Sequence, residues 1–563
     1  MRRCVLMGAA RTDPTLVFCA SRDVDVCFTE GMRMCDNDEP RFLRSNAIIE
    51  PLVDRFYAWL YITAPVQASM NLANVQVPLL ESYLHSPKVH VAASSNPELR
   101  GGYFVNIEEE RSTEIAELLD VIKRDRADML NFAAAIAEAE ELIRQGATGF
   151  DLTPLYPQLP AILNGLVELA YDTSNQASMH YIEPLLYHSP MWDVRRQSVQ
   201  LSLETGIERP FILSTPRLPN ADVIDLPHQF THPGLDEFFK ARTQPTTLPK
   251  LREALELNDA QALHLERLLA PAPSLSEDRH IERGGRIRYF GHACLVLQTP
   301  EACIVTDPFI SADNRHGDRY TLDDLPDHID YVVITHGHQD HIVLETLLML
   351  RPRIDAVVVP RSSRGNLADP SIALYLRHIG FNVIEVDDFD ELPLPGGGRL
   401  VATPFLGEHA DLDIRAKSTY FVQLAGASVY IGADSSGIDP VLYRYVKEHL
   451  GKVDLAFLGM ECDGAPLTWL YQGLLTRPVT KKMSDSRKLS GSNAAQAAAI
   501  LQELDADEAY IYAMGEESWQ GHVMATSYND DSYQLKQIDE FLTWCRDHGI
   551  SAEHLFNKRE WIW

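Results

Sequence analysis

Two spacings of hydrophobic residues divide this chain. From residue 45 to 269 apolar side chains recur mainly at intervals of three and four, which predicts helices. Ile48, Ile49, Leu52, Val53, Phe56 and Leu60 predict the first helix, with Trp59 adding aromatic bulk. Ser112 stands where an N-cap belongs. Behind it a stripe runs through Ile115, Leu118, Leu119 and Ile122 to Met129, Leu130, Ala133 and Ile136, and Gly146 offers a stop. Pro154, Pro157 and Pro160 mark a loop before a further helical run over residues 161–171. The shorter alternation of residues 198–213 allows a strand or two.

Past Pro271-Ala272-Pro273-Ser274, a linker-like stretch, the pattern changes to short strands. Residues 287–290, 293–297 and 303–306 read as β, as do 330–334, 356–360, 383–386 and 400–403. Helical runs over 342–350 and 372–379 separate some of them, and residues 420–424 and 429–431 form a hairpin around Gly426. Strands mixed with helices and hairpins predict a sheet sandwich flanked by helices.

The strand 330–334 delivers the chemistry. It runs into Thr335-His336-Gly337-His338-Gln339-Asp340-His341. Positions two apart in extended chain point the same way, so His336 and His338 can hold one metal. Asp340 and His341, just past the turn, are left for a second. Imidazole and carboxylate suit first-row transition metals. Downstream, Glu408 and His409 follow the strand at 400–403, and either can complete the first site. Asp434, in a Gly-flanked turn after the hairpin, suits a carboxylate shared by two cations. Two cations in one site need such a bridge to offset their repulsion.

Composition narrows the function. The 563 residues are too many for a single core, and 45% hydrophobic content is ordinary for a soluble protein. A net charge of −30 argues against non-specific nucleic-acid binding. No apolar run approaches the length of a membrane span. The eight cysteines form no Cys-x-x-Cys pair, so reduced thiols in a cytoplasmic protein are expected. Residues 1–31 have weak periodicity and read as a disordered or non-native extension, with Met32 an alternative start. Arg477, Lys481, Lys482, Arg487 and Lys488 are the densest basic stretch, most simply a solvated loop and otherwise a contact for phosphate or an acidic partner.

The His-x-His-x-Asp-His motif, a strand-end ligand further on and a strand-end Asp after it resemble the metallo-β-lactamase fold, as do Gly291-His292-Ala293-Cys294 and Thr306-Asp307-Pro308. Most members are zinc hydrolases with a His at the third position and another near the end of the fold. Here Glu408 stands before His409, and the strand at 509–512 runs into Ala513, where that last His belongs; His522 is the nearest alternative. The added carboxylate and the missing His move the odds from zinc toward iron.

With these departures the chain resembles the diiron β-hydroxylases of chloramphenicol biosynthesis, from about Met32 to Trp563. The resemblance implies an α+β chain in four stretches. They are the extension 1–31, a mainly helical N-terminal domain 32–270 for dimerisation or partner docking, a linker 271–285, and a metallo-β-lactamase-fold (αββα) domain 286–563. It implies two irons, one held by His336, His338 and Glu408 and one by Asp340 and His341, with Asp434 shared. It implies dioxygen and an external two-electron donor as co-substrates. The substrate class is an aminoacyl group, L-p-aminophenylalanine in the chloramphenicol enzyme, thioester-bound to a nonribosomal peptide synthetase carrier domain. The expected protein is a cytoplasmic homodimer. A dinuclear zinc hydrolase of the same fold, thioesterase- or lactonase-like, is the competing reading.

Overall fold

In the computed structural model, residues 39–206, 208–312 and 317–563 are described. The expected extension at 1–31 lies outside them.

Two seven-stranded sheets stack face to face in the C-terminal half. The first has the order Val383–Val386, Ile354–Pro360, Ile329–Val333, Cys303–Thr306, Leu295–Gln298, Arg286–Tyr289 and Arg559–Ile562. The second runs Glu391–Pro393, Arg399–Thr403, Thr419–Leu424, Ala427–Ile431, Leu455–Gly459, Glu508–Tyr512 and Ser551–His554. Between them lies an apolar core of Ile287, Leu295, Ile304, Val358, Leu400, Val422, Val429 and Phe457. On the second sheet's outer face, Val446, Ile500, Leu501 and Phe541 bring helices down on Val401, Phe421 and Ile511. This is the expected αββα sandwich. The chain's last strand pairs with Arg286–Tyr289, so the C-terminus closes the first sheet.

The N-terminal half departs from the helical expectation at its start. Residues 47–53 form a strand, Ala47–Val53, central in a four-stranded antiparallel sheet where Ile49 faces Leu201. The strand is buried on both faces, so its side chains lack the alternation that marks a half-exposed strand. Its spacing therefore imitates a helix, although β-branched residues and Pro51 disfavour one. Residues 161–171 are likewise not a helix. A 3₁₀ turn, Ala161–Leu163, leads to the hairpin Val167–Tyr171 with Ala177–Tyr181. Gly165 breaks the run at φ +77°, and Val167 and Leu169 point inward on either side of exposed Glu168. Ser112 is the first helical residue rather than a cap. Its Oγ donates 2.6 Å back to the Glu109 carbonyl, because the chain enters from the 3₁₀ turn Glu109–Arg111. The expected stop holds, since the helix Ala127–Gly146 ends at Gly146.

The two halves share a core. Residues Ile49, Leu60, Leu80, Phe132 and Phe238 belong to one buried cluster with Val332, Leu347, Leu348 and Leu376, on the outer face of the first sheet. Helix Leu344–Leu350 packs directly on strand Ala47–Val53. Polar ties reinforce the junction. Arg209 bridges Glu50 and Glu345 at 2.7 Å each, and Glu183 accepts the Gly365 and Ser371 N–H groups at 3.1 and 2.9 Å. The N-terminal half thus covers the outer face of the sheet from which the His-rich loop leaves.

Candidate metal centre

The strand Ile329–Val333 carries the loop to the end of the sandwich, beside the neighbouring strand end at Asp307. Asp307 organises the His-rich loop. Its Oδ1 accepts the Thr335 N–H at 2.8 Å, and its Oδ2 accepts the Thr335 hydroxyl at 2.6 Å. His341 Nδ1 lies 2.8 Å from the same Oδ2. A carboxylate only accepts, so Nδ1 carries a proton and His341 Nε2 is the nitrogen turned toward the centre. His336 Nδ1 sits 3.0 Å from Thr335 Oγ, whose own proton is committed to Asp307, which leaves His336 Nε2 bare. Tyr471 OH engages His338 Nε2 at 2.6 Å, turning Nδ1 inward.

The inward atoms converge. His338 Nδ1 is 3.0 Å from Glu408 Oε1, and His336 Nε2 is 3.9 Å from Glu408 Oε2. Asp434 Oδ2 lies 2.9 Å from His341 Nε2 and 3.7 Å from His336 Nε2, between the two groups. Asp340 Oδ2 is 3.6 Å from His341 Nε2. All six residues singled out in the sequence therefore meet. His409 joins them, with Nδ1 2.8 Å from Glu408 Oε2 and its ring stacked on His338 at 4.6 Å. His522 does not. It is buried between Tyr57 and Phe309, outside every ligand group among the described residues.

Whether a metal pair suits this site can be judged from the side chains themselves. His409 Nε2 and Asp434 Oδ1 are buried polar atoms with no hydrogen-bond partner, and His341 Nε2 and Glu408 Oε2 make close contacts that are not aligned as hydrogen bonds. Orphaned ligand atoms pointing at one another are costly unless a cation joins them. Burial lowers His341, but Asp434, Asp340 and Asp307 outweigh it and raise the imidazole well above its ordinary range, so it holds a proton where a cation would sit between it and those carboxylates. Two other ligands are already in binding form. Burial and the neighbouring His341, His338 and His409 push His336 well below its ordinary range, so it is neutral and ready to ligate. Burial opposes ionisation of Glu408, but His338 and His409 outweigh it and hold the carboxyl below its usual range. The backbone is strained at the same places: His292, Asp307, Glu408, Ala433 and Ala513 all have positive φ between 33° and 66°. Donors and charges fit two transition-metal ions.

Sequence reading missed four supporting residues. His292, legible only as part of a hairpin, holds Asp340 Oδ2 at 3.0 Å. Glu517 Oε1 accepts the His292 N–H at 3.0 Å and so fixes that hairpin. Tyr471 is announced by no motif. Asp307 could have been found, since it ends the strand parallel to Ile329–Val333.

Glu461 also escapes any motif. It lines a cavity of about 270 Å³ at the centre with His338, Gln339, Asp340, Glu408 and Asp434, and Trp469, Leu470, Leu489 and Met524 form its apolar side. Burial, then Asp434, Asp340 and Glu408, push its carboxyl well above the usual range. Arg100 and Thr526 also line a second, larger cavity of about 680 Å³, between the N-terminal half and residues 515–528. The basic stretch is largely engaged: Lys481 pairs with Asp485, Lys488 with Asp463, and Arg487 Nε donates 2.8 Å to the Ala410 carbonyl.

Residues 42–273 match the model of the diiron non-heme beta-hydroxylase N-terminal domain, and residues 303–512 that of a beta-lactamase superfamily domain. The chain belongs to the diiron β-hydroxylase family and is a diiron monooxygenase. It is 36% identical over 529 residues to the 4-amino-L-phenylalanyl-[CmlP-peptidyl-carrier-protein] 3-hydroxylase of Streptomyces venezuelae, covering 92% of this chain and 98% of that one. At that identity it is a relative of the enzyme and not the same sequence. The crystal structure of CmlA, a diiron β-hydroxylase from Streptomyces venezuelae, superposes with TM-score 0.87 at 34% identity, over 93% of this chain and 100% of that one. A metal-dependent hydrolase of Christiangramia forsetii is 34% identical over only 58 residues, 10% of this chain and 25% of its own length. The zinc-hydrolase reading is therefore the less supported one.

Proposed function

We propose that this enzyme hydroxylates the β-carbon of an aminoacyl group, 4-aminophenylalanyl or a close aryl analogue, thioester-bound to a peptide-synthetase carrier domain in chloramphenicol-type antibiotic biosynthesis. His336 Nε2, His338 Nδ1 and Glu408 would hold one iron, Asp340 and His341 Nε2 the second, with Asp434 shared. The observation that carries this is the convergence of those six side chains, four of them held from behind: His336 by Thr335, His338 by Tyr471, His341 by Asp307 and Asp340 by His292. His409 is the one further imidazole within reach of the first group among the described residues.

When bound, the iron pair supplies the activation of dioxygen that attack on the benzylic C–H bond requires. The protein's part is positioning and exclusion. Asp307 and Thr335 fix the tautomers of His336 and His341, and Tyr471 turns His338. Leu60 of the N-terminal half sits against Gly337, so near that a Cβ there would lie 2.8 Å from Leu60 Cδ2. Trp469 Nε1 donates 2.9 Å to the Gly101 carbonyl across the cavity rim. Those contacts shield the centre from bulk water on that side. The larger cavity, sharing Arg100 and Thr526 with the smaller, gives the carrier's flexible arm a route inward.

Among the described residues no helix is long and apolar enough to cross a membrane. We place the enzyme in the cytoplasm as a homodimer. The test is turnover of 4-aminophenylalanyl thioester on its carrier by iron-loaded protein with a two-electron donor and dioxygen. The expected product gains one β-hydroxyl, and hydrolysis of the thioester instead would overturn the reading.

A further inference from the structure

Four carboxylates line the metal cavity. Three of them, Asp340, Glu408 and Asp434, lie against imidazoles of the centre. Glu461, just beyond the strand Leu455–Gly459, is different. Its carbonyl accepts the Gly491 N–H at 2.9 Å, but no ion pair or hydrogen bond engages its carboxylate among the described residues. Arg100 is the cationic side chain on the described wall, and it is paired with Glu208. The cavity therefore offers three things: a metal end, an apolar side made by Trp469, Leu470, Leu489 and Met524, and a carboxyl group that no cation engages.

A carrier-bound aryl aminoacyl group presents the matching three: a β-carbon, an aromatic side chain and an α-ammonium. We propose that Glu461 is a positioning residue that takes the substrate's α-ammonium, with the aryl ring on the Trp469 side and the β-carbon turned toward the metal end. The assignment rests on the function proposed above. The nitrogen is two bonds from the β-carbon, so anchoring it fixes the reacting carbon far better than the long arm can. A charge-assisted hydrogen bond between an ammonium and a carboxyl group is strong, and a substrate lacking the amine leaves that carboxyl unpaired.

The experiment compares two thioesters on the same carrier, 4-aminophenylalanyl and its deamino analogue 3-(4-aminophenyl)propanoyl. Iron-loaded wild type, Glu461→Gln and Glu461→Asp are assayed for kcat/KM, and iron per chain is measured for each. Wild type should prefer the aminoacyl thioester by roughly 10- to 100-fold, the range for a hydrogen bond to a charged group. In Glu461→Gln the preference should collapse to within about threefold, through loss on the aminoacyl substrate alone, with iron content unchanged; Glu461→Asp should retain part of it. An undiminished preference in Glu461→Gln, or loss of iron from it, overturns the assignment. Wild type that hydroxylates neither thioester overturns the underlying function instead.

Discussion

Asp307→Asn isolates the role of the buried carboxylate that organises the His-rich loop. Asp307 is fully buried and accepts three donors: Thr335 N–H and hydroxyl and His341 Nδ1, at 2.8, 2.6 and 2.8 Å. Asparagine keeps the shape but offers one accepting oxygen, and its NH₂ would face at least one of those donors. The imidazole escapes by taking the other tautomer, which fixes the proton on Nε2 and withholds the lone pair that a metal ion would need there. Hydrogen bonds to charged groups contribute about 1.5–3 kcal/mol, and outer partners of metal ligands typically influence affinity 10- to 100-fold. The two ranges agree, since about 1.4 kcal/mol is tenfold. The expected result is a loss of roughly one iron per chain under chelator competition that leaves wild type loaded, with the site of His336, His338 and Glu408 less affected. Circular dichroism of the metal-free proteins checks that the fold survives. Equal retention of both irons by the variant and wild type would refute the argument that Asp307 sets the tautomer.

Three further outcomes are expected. Tyr471→Phe removes the hydroxyl 2.6 Å from His338 Nε2 and should weaken the first metal site by about 1–3 kcal/mol, read as a shift in the iron absorption spectrum and faster chelation. Glu183, which joins the halves, has its carboxyl raised to about 7, mainly by burial. A raised folded-state value stabilises below the unfolded value near 4.5 and is lost as pH climbs through about 7. Melting temperature should therefore fall across that window, by a term of at most about 3 kcal/mol, and Glu183→Gln should flatten the slope. In Gly464→Ala the new Cβ would lie 1.5 Å from the Leu489 carbonyl oxygen, which is backbone and cannot swing aside. Soluble yield and activity should both drop sharply, whereas Gly337→Ala, which meets only the tip of Leu60, should be tolerated far better.

The six candidate ligands could be picked out because they belong to one short loop and two strand ends, where the two-residue period of extended chain dictates which side chains point together. The C-terminal strands were legible for a related reason: short β-branched runs between glycines and prolines admit few other conformations. Ala47–Val53 was not, because burial on both faces erases alternation, and burial there comes from residues such as Leu201 far along the chain. Tyr471 and Glu461 escaped for the same cause. Each reaches the centre from a separate segment, and nothing local marks a tyrosine or glutamate whose importance depends on what lies opposite. The residue supporting Asp340, His292, sits in a recognisable hairpin motif, yet its partner lies 48 positions away.

The shared core has a practical consequence for engineering. Cut at residues 271–285, the catalytic sandwich would bare Leu347, Leu348 and Leu376 to water and lose Leu60 from its place against Gly337, between His336 and His338. Such a fragment should aggregate before it could be loaded with metal. The N-terminal region is therefore no exchangeable adaptor that could be swapped to redirect the enzyme to new carriers. Retargeting has to proceed by point changes on an intact chain, with both regions diversifying in step.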